Sequence, residues 1–249
     1  MTAIETKKLT KKYKTKTAVS ELNLTIEAGE LFALLGVNGA GKTTTIRMLS
    51  CLSKPTDGSC HVCGHSCTGE SEKVKGLVGI SPQDTAVAEN LTVEENLRLM
   101  CGIYGFSSEK TQSRITEMIS LFKMNEVISS RAKTLSGGWK RKLSIAMTLI
   151  SEPQVLFLDE PTLGLDVLAR RDLWSVIEKL KGKITIVLTT HYMEEAQQLS
   201  DRIGIMIDGK LAALGTLEQL EAQSGEHGLE NVFVKIAGDF GKVGLTWEE

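Results

Sequence analysis

Residues Gly36 to Thr43, GVNGAGKT, have the spacing G-x-x-x-x-G-K-[ST], and these types at this spacing fit one chemistry, the holding of linked phosphates. The glycines let the backbone curl until its N–H groups point inward at anionic oxygens. The stretch follows the apolar run Leu31 to Leu35 (LFALL) and precedes a helical run, Thr43 to Leu52, so strand, loop and helix stand in the order the mechanism requires. The unpaired N–H groups and positive dipole end of that helix face the same anion. Lys42 can reach the outer phosphates, and Thr43 offers a hydroxyl to magnesium. Gly36, Asn38, Gly39, Ala40, Gly41, Lys42, Thr43 and Thr44 form the candidate cradle.

A second cluster lies in VLFLDEP, Val155 to Pro161, where an apolar strand ends in two adjacent carboxylates. On a parallel sheet this is the end at which a phosphate site lies. A hard cation takes oxygen ligands, so Asp159 is a candidate magnesium partner, acting through water. Glu160 fits a base that orients or deprotonates an attacking water, a role worth ~10²–10⁴-fold in rate. Adjacent Asp and Glu are common on surfaces, but the four buried hydrophobes before them and the phosphate loop favour the functional reading. A third run, ITIVLTT, delivers His191, which can hydrogen-bond a γ-phosphate; a lone histidine is more often structural, but this one sits at a strand end. Gly36, Asp159 with Glu160, and His191 thereby fall along one edge of one sheet.

The elements that must hold these groups are legible as patterns. Leu31 to Leu35, Leu77 to Ile80, Val155 to Leu158 and Ile184 to Thr189 are continuous apolar runs, which predict a largely parallel sheet covered on both faces. IGIMI-DG-KLAAL predicts a hairpin turning at Asp208-Gly209. Between about Ser81 and Ile150 the spacing turns helical, over Leu91 to Gly105, Glu109 to Lys123 and Gly137 to Ile150. Leu143, Ala146, Met147 and Ile150 share one face of the third helix. This reads as a helical insertion splitting the sheet-bearing core. The tail from Glu221 on is polar, with one apolar patch at Leu229 to Ile236.

The chain has 249 residues, of which 41% are hydrophobic, enough to bury a sizeable core. A net charge of −2 argues against nucleic-acid binding by bulk electrostatics. The lysines at 7, 8, 11, 12, 14 and 16 read as a solvated face ahead of a phosphate- or lipid-facing patch. No apolar run approaches the ~20 residues that span a bilayer. The opening MTAIETKKLTKKY lacks the pattern of a secretory signal. The expectation is a cytoplasmic protein, with free thiols on its five cysteines. The cluster CHVCGHSC, Cys60 to Cys67, admits a zinc reading. A structural site draws its second ligand pair from elsewhere, however, and a strand from Cys60 to Gly64 would point Cys60 and Cys63 to opposite faces. Cysteine as a small core residue is favoured.

LSGGW, Leu135 to Trp139, between the phosphate loop and the carboxylate pair, resembles the signature of ATP-binding cassette (ABC) transporter ATPases. The resemblance runs from about Ile4 to Leu220. THYMEEAQQLSDRIGIMIDGKL at Thr190 to Leu211 makes it closest to stand-alone ATPase subunits of bacterial drug-export-type transporters. It implies an α/β fold: a P-loop NTPase core with a mainly parallel sheet, an antiparallel β subdomain and an inserted α-helical subdomain. The implied division is residues 1–220 for the cassette (core 1–84 and 151–220, helical part about 85–150) and 221–249 for the tail. Tyr13 matches the aromatic that stacks on adenine, although a lone tyrosine can equally be a packing residue. Gln83, in GISPQD, matches the glutamine that touches magnesium and the catalytic water and senses the membrane partner. Asp166, in LGLD, matches the loop that couples two sites across a dimer. Ser136, Gly137 and Gly138 match the group that caps the γ-phosphate bound by the opposite subunit. The fifth signature residue departs from the usual glutamine: here it is Trp139, which can stack or pack instead.

The resemblance implies ATP and Mg²⁺ as ligands, and a homodimer or heterodimer closing head to tail. It also implies integral-membrane permease subunits that hold the chain at the inner face of the membrane and dock near Gln83, over Ala86 to Leu97. Two other readings stand beside it. A soluble ABC ATPase acting on ribosomes or DNA usually carries tandem cassettes or long coiled coils, and no heptad run appears here. A non-hydrolysing regulatory module is opposed by the presence of both Glu160 and His191.

Overall fold

The computed structural model describes the backbone of residues 1–244 and the side chains of residues 1–240. Strands β1 (Thr2–Tyr13) and β2 (Lys16–Glu27) precede β3 (Leu31–Leu35) and helix α1 (Lys42–Leu49). Next come β4 (Asp57–Val62), β5 (His65–Ser66), α2 (Ser71–Leu77) and β6 (Val78–Ser81). Three helices follow, α3 (Val93–Ile103), α4 (Ser108–Phe122) and α5 (Gly137–Leu149). The chain then returns through β7 (Val155–Asp159), α6 (Val167–Leu180), β8 (Thr185–Thr190) and α7 (Met193–Leu199). It ends with β9 (Arg202–Ile207), β10 (Lys210–Gly215), α8 (Leu217–Ser224) and α9 (Leu229–Gly244).

Two sheets result. The larger has the order β10-β9-β3-β8-β7-β6 and is parallel from β9 to β6, with β10 antiparallel at its edge. Its apolar runs alternate between two covered faces, as period-2 strands must. Leu31, Leu156, Leu158, Ile186 and Leu188 face the layer holding α3 to α6. Phe32, Leu34, Val155, Phe157 and Val187 face α1 and the second sheet. Each such fully buried side chain contributes roughly 1.5–3 kcal/mol. The predicted hairpin forms, and Asp208 (φ 46°) and Gly209 (φ 79°) both adopt the left-handed backbone its two-residue turn requires.

The second sheet, β2-β1-β4-β5, is antiparallel. Lys7, Lys8, Lys12, Lys14 and Lys16 are exposed along it or its turn, while Lys11 is half-buried and donates from Nζ to Lys54 O at 2.6 Å. Cys60 and Cys67 point into the core at 1% and 5% exposure. Strand β4 stops at Val62, so Cys63 (φ 49°) lies in the turn and not on an opposite strand face.

Helices α3 to α5 leave the sheet after β6 and return to it before β7. They close on Val93, Leu97, Ile115, Phe122, Leu143 and Ala146. The expected boundary at residue 220 falls inside α8, whose Leu220 is fully buried. Beyond it Leu229, Val232 and Phe233 of α9 pack with Ile203 and Ile205 of β9, so the tail is built onto the sheet up to the described end. Residues 245–249 of the expected tail lie outside the described residues.

Candidate active site

Strands β3, β8 and β7 lie side by side in register, Leu35 opposite Thr190 and Thr189 opposite Asp159. The residues that follow them, Gly36, His191 and Glu160, therefore meet at one carboxyl edge. A cavity of about 510 Å³ opens there. Of the residues expected at the site it gathers Tyr13, Asn38, Gly39, Ala40, Gly41, Lys42, Thr43, Thr44, Gln83, Glu160 and His191, and it adds Lys16, Ala18 and Leu163. Gly36 and Asp159 are not in its lining but bond to residues that are. Ser136, Gly137, Gly138 and Asp166 do not line it.

The loop shape follows from its glycines. Gly41 (φ 106°) caps α1 without a side-chain bond, and a Cβ there would stand 2.4 Å from Ala18 O. A Cβ on Gly36 would stand 2.5 Å from Met206 O of β9. The phosphate loop can thus lie flat against its neighbours, leaving the first N–H groups of α1 at the cavity edge. Lys42 Nζ donates to Gly36 O at 2.7 Å and lies 3.1 Å from Glu160 Oε1, both side chains being 5% exposed.

Glu160 is the most constrained residue of the site. Its backbone is left-handed (φ 49°), a conformation that costs a non-glycine residue about 1–3 kcal/mol. Its Oε2 lies 2.7 Å from His191 Nδ1, so the carboxylate is held between an ammonium and an imidazole. Its N–H donates to Thr189 Oγ1 at 3.1 Å, and that hydroxyl in turn donates to Asp159 Oδ1 at 2.5 Å. Thr43 Oγ1 donates to the same Asp159 oxygen at 3.0 Å. Hydroxyl and carboxylate oxygens therefore cluster where a hard cation would bind.

Thr189 and Arg141 were not among the expected site residues. Thr189 is fully buried in β8, and its signal was a hydroxyl inside an otherwise apolar run. Arg141 on α5 is 4% exposed, donates from Nη1 to Pro82 O at 2.6 Å and from Nη2 to Gln83 O, and so pins the Gln83 loop to the helices. Burial pulls the Arg141 guanidinium below its usual pKa, and the Asp159 carboxylate opposes that shift. No local sequence signal joins residues this far apart.

The signature residues present a second, open surface. Ser136 and Gly137 are exposed at the start of α5, where Ser136 Oγ accepts from Trp139 N at 3.5 Å. A Cβ on Gly138 would meet Ala169 Cβ at 3.0 Å, so α5 and α6 approach closely there. Asp166 caps α6, its Oδ1 accepting from Leu168 N and Ala169 N at 2.9 Å. Trp139 packs against the helical core, with Lys142 Nζ 4.5 Å above its ring.

Comparison with known proteins matches this architecture. The ABC transporter family matches residues 19–163. The chain is 39% identical over 247 residues to the probable multidrug ABC transporter ATP-binding protein YbhF of Escherichia coli (strain K12), covering 97% of this chain but 43% of that protein. It is 40% identical over 226 residues to the daunorubicin/doxorubicin resistance ATP-binding protein DrrA of Streptomyces peucetius, covering 90% of this chain and 68% of DrrA. A solved ATP binding subunit of an ABC transporter superposes with a TM-score of 0.84 at 31% identity, covering 94% of this chain and 99% of that one. The ATP-binding cassette MJ0796, solved as a dimer in a post-hydrolysis state bound to ADP and Pi, gives 0.77 at 26% identity, covering 86% and 98%. With its phosphate loop, paired carboxylates and signature residues set on this fold, the chain belongs to the ABC transporter family.

Proposed function

We propose that this chain binds ATP with magnesium, hydrolyses it, and powers an ABC transporter of the exporting kind through head-to-tail closure of two cassettes. The observation that carries the reading is the setting of Glu160: a buried carboxylate at a strand end, strained in its backbone, bonded to His191 and ion-paired with Lys42. Such a group can accept a proton from a water directed at a γ-phosphate. Lys42 and the N–H groups of the loop bind the phosphates, and His191 holds the Glu160 carboxylate in place. Tyr13, 46% exposed at the cavity mouth, offers its ring to adenine.

The donors fit magnesium: Thr43 and Asp159 place two oxygens 3.0 Å apart, with Gln83 lining the same cavity as Thr43. Magnesium bound there supplies neutralisation of the charge on the phosphate oxygens. Gln83 would sense the membrane partner through the loop that Arg141 clamps.

Exposed Ser136 and Gly137, at the start of a 13-residue helix, suit the capping of a γ-phosphate held by a second cassette, with Gly138 letting the helices approach and Asp166 joining the two sites. The partner cassette can be identical or a relative. No helix among the described residues is long and apolar enough to cross a membrane, so in this reading separate permease subunits hold the chain at the cytoplasmic face. They dock over Ala86 to Leu97. There Glu95 closes the capping box of α3 on Thr92 and Glu94 pairs with Arg98 at 2.7 Å, so charge reversal at Glu94 alone is the cleaner probe of docking. The names of YbhF and DrrA support export.

Magnesium-dependent phosphate release from the wild type and Glu160→Gln tests the core of the proposal. The variant is expected to lose about 10²–10⁴-fold in rate while still binding ATP. Equal release from both would overturn the role of Glu160.

A further inference from the structure

A carboxyl group that none of these roles uses lies behind the cavity wall. Glu195, on α7, is 0% exposed. Its Oε1 accepts a hydrogen bond from Trp174 Nε1 of α6 at 3.0 Å. Its Oε2 is sealed from solvent without a hydrogen-bond partner, and so is Thr162 Oγ1. The hydroxyls of Thr190 and Thr162 stand beside the carboxyl group. The positions of these neighbours are informative. Thr162 follows Glu160 by two residues, and Thr190 directly precedes His191, its Oγ1 accepting from Tyr192 N at 2.9 Å. Trp174 belongs to the helix that Asp166 caps.

We propose that Glu195 is a positioning residue, which fixes the Glu160 loop, the strand end carrying His191 and helix α6 in one register. The proposal rests on the hydrolytic reading above and deepens it. Loop residues with strained backbone need neighbours that over-determine them, and Glu195 lies beside Thr162, just after Glu160, and Thr190, just before His191. Burial pushes the Glu195 carboxyl above the usual carboxylate range, and the charge of Glu160 pushes the same way; the nearby Thr190 and Thr162 hydroxyls and the Trp174 N–H bond oppose it. When protonated, the group has one O–H donor and a carbonyl acceptor. The carbonyl takes the Trp174 N–H, and the O–H can satisfy a threonine hydroxyl that is otherwise orphaned. Glutamine reproduces this donor and acceptor pair; alanine removes both and leaves Trp174 Nε1 buried without its partner.

Wild type, E195Q, E195A and W174F separate the possibilities. For each, phosphate release from magnesium-ATP gives kcat and KM, and binding of a fluorescent ADP analogue gives affinity without turnover. E195A is expected to lose about tenfold or more in kcat with KM and ADP affinity within about twofold. E195Q should restore a third or more of the wild-type kcat, and W174F should fall between. Infrared spectra at neutral pH should show a buried carboxylic-acid carbonyl band in the wild type that is missing from E195Q, a readout independent of hydrolysis. An E195A with unchanged kcat overturns the proposal. So does an E195A whose defect lies in KM and ADP affinity, an E195Q as slow as E195A, or a W174F equal to wild type; the last two carry the test if E195A does not fold. A wild type that binds ADP and releases no phosphate defeats the hydrolytic reading and the positioning role with it. An active wild type beside unaffected Glu195 variants defeats the positioning role alone.

Discussion

The cavity edge formed by β3, β8 and β7 and the start of α5 at Ser136, both proposed above to meet phosphate, are finished to different degrees. At the cavity edge the functional side chains are bonded to one another: Lys42 to Glu160, Glu160 to His191, and Thr43 and Thr189 to Asp159. Backbone strain at Glu160 is held by that network, and its charges are set before any ligand arrives. At the start of α5, Ser136 and Gly137 face solvent, Asp166 bonds its own helix, and the adjacent Val167 and Leu168 are 61% and 79% exposed. The first region is organised from within the chain. The second presents donors and apolar side chains outward, which is the form of a surface that works against another molecule.

The largest effect should come from separating the two regions between protomers. K42A and S136R are each expected to lose about 100-fold or more in phosphate release. If cavity and signature of different chains form one site, equimolar mixing should restore about a quarter of wild-type turnover, since half the random pairs then hold one intact site. Mixed samples no faster than the separate variants would break the comparison. A smaller loss is expected within the first region: T189V removes the hydroxyl shared by Asp159 and the Glu160 N–H and should lower kcat about tenfold, with ADP affinity unchanged. Smaller again is G138A, whose new methyl meets Ala169 Cβ at 3.0 Å. It should lower stability by about 1 kcal/mol, read from urea midpoints. The smallest concerns Glu70, remote from both regions, whose carboxyl is lowered to about 2, chiefly by Lys73 and also by Ser66 N–H and His65. The unfolded carboxyl titrates higher, so its contribution is present at neutral pH and is lost as pH falls from about 4.5 toward 2. E70Q should melt slightly below wild type at pH 7, with the gap closing below pH 4.5 and shrinking in high salt.

Much of the cavity edge was legible because it is local. The strand LFALL, the glycine spacing and the strand-terminal Asp159-Glu160 each lie within one short window, and sheet geometry then brings the windows together. Strands β1 and β2 were not legible as strands. Left-handed residues at Lys8 and Glu21 break their register, so the apolar alternation slips and the lysines dominate the pattern. Helix α9 was hidden in a similar way. Leu229, Val232, Phe233 and Ile236 have helical spacing, but glycines at 238, 241 and 244 dilute the helical signal.

By itself, then, the sequence determined the phosphate loop, the strand-terminal carboxylates and the Asp208-Gly209 hairpin, because each is a rule of composition and spacing within a few residues; the signature was legible only through its family resemblance. Only the tertiary structure decided that Thr189 joins Asp159 to Glu160, that Arg141 grips the Gln83 loop and that Glu195 meets Trp174. Those pairs are made where separate elements pack. The free energy that selects them is the cost of leaving a buried polar group unpaired, which depends on what the fold places opposite it and leaves no periodic trace along the chain.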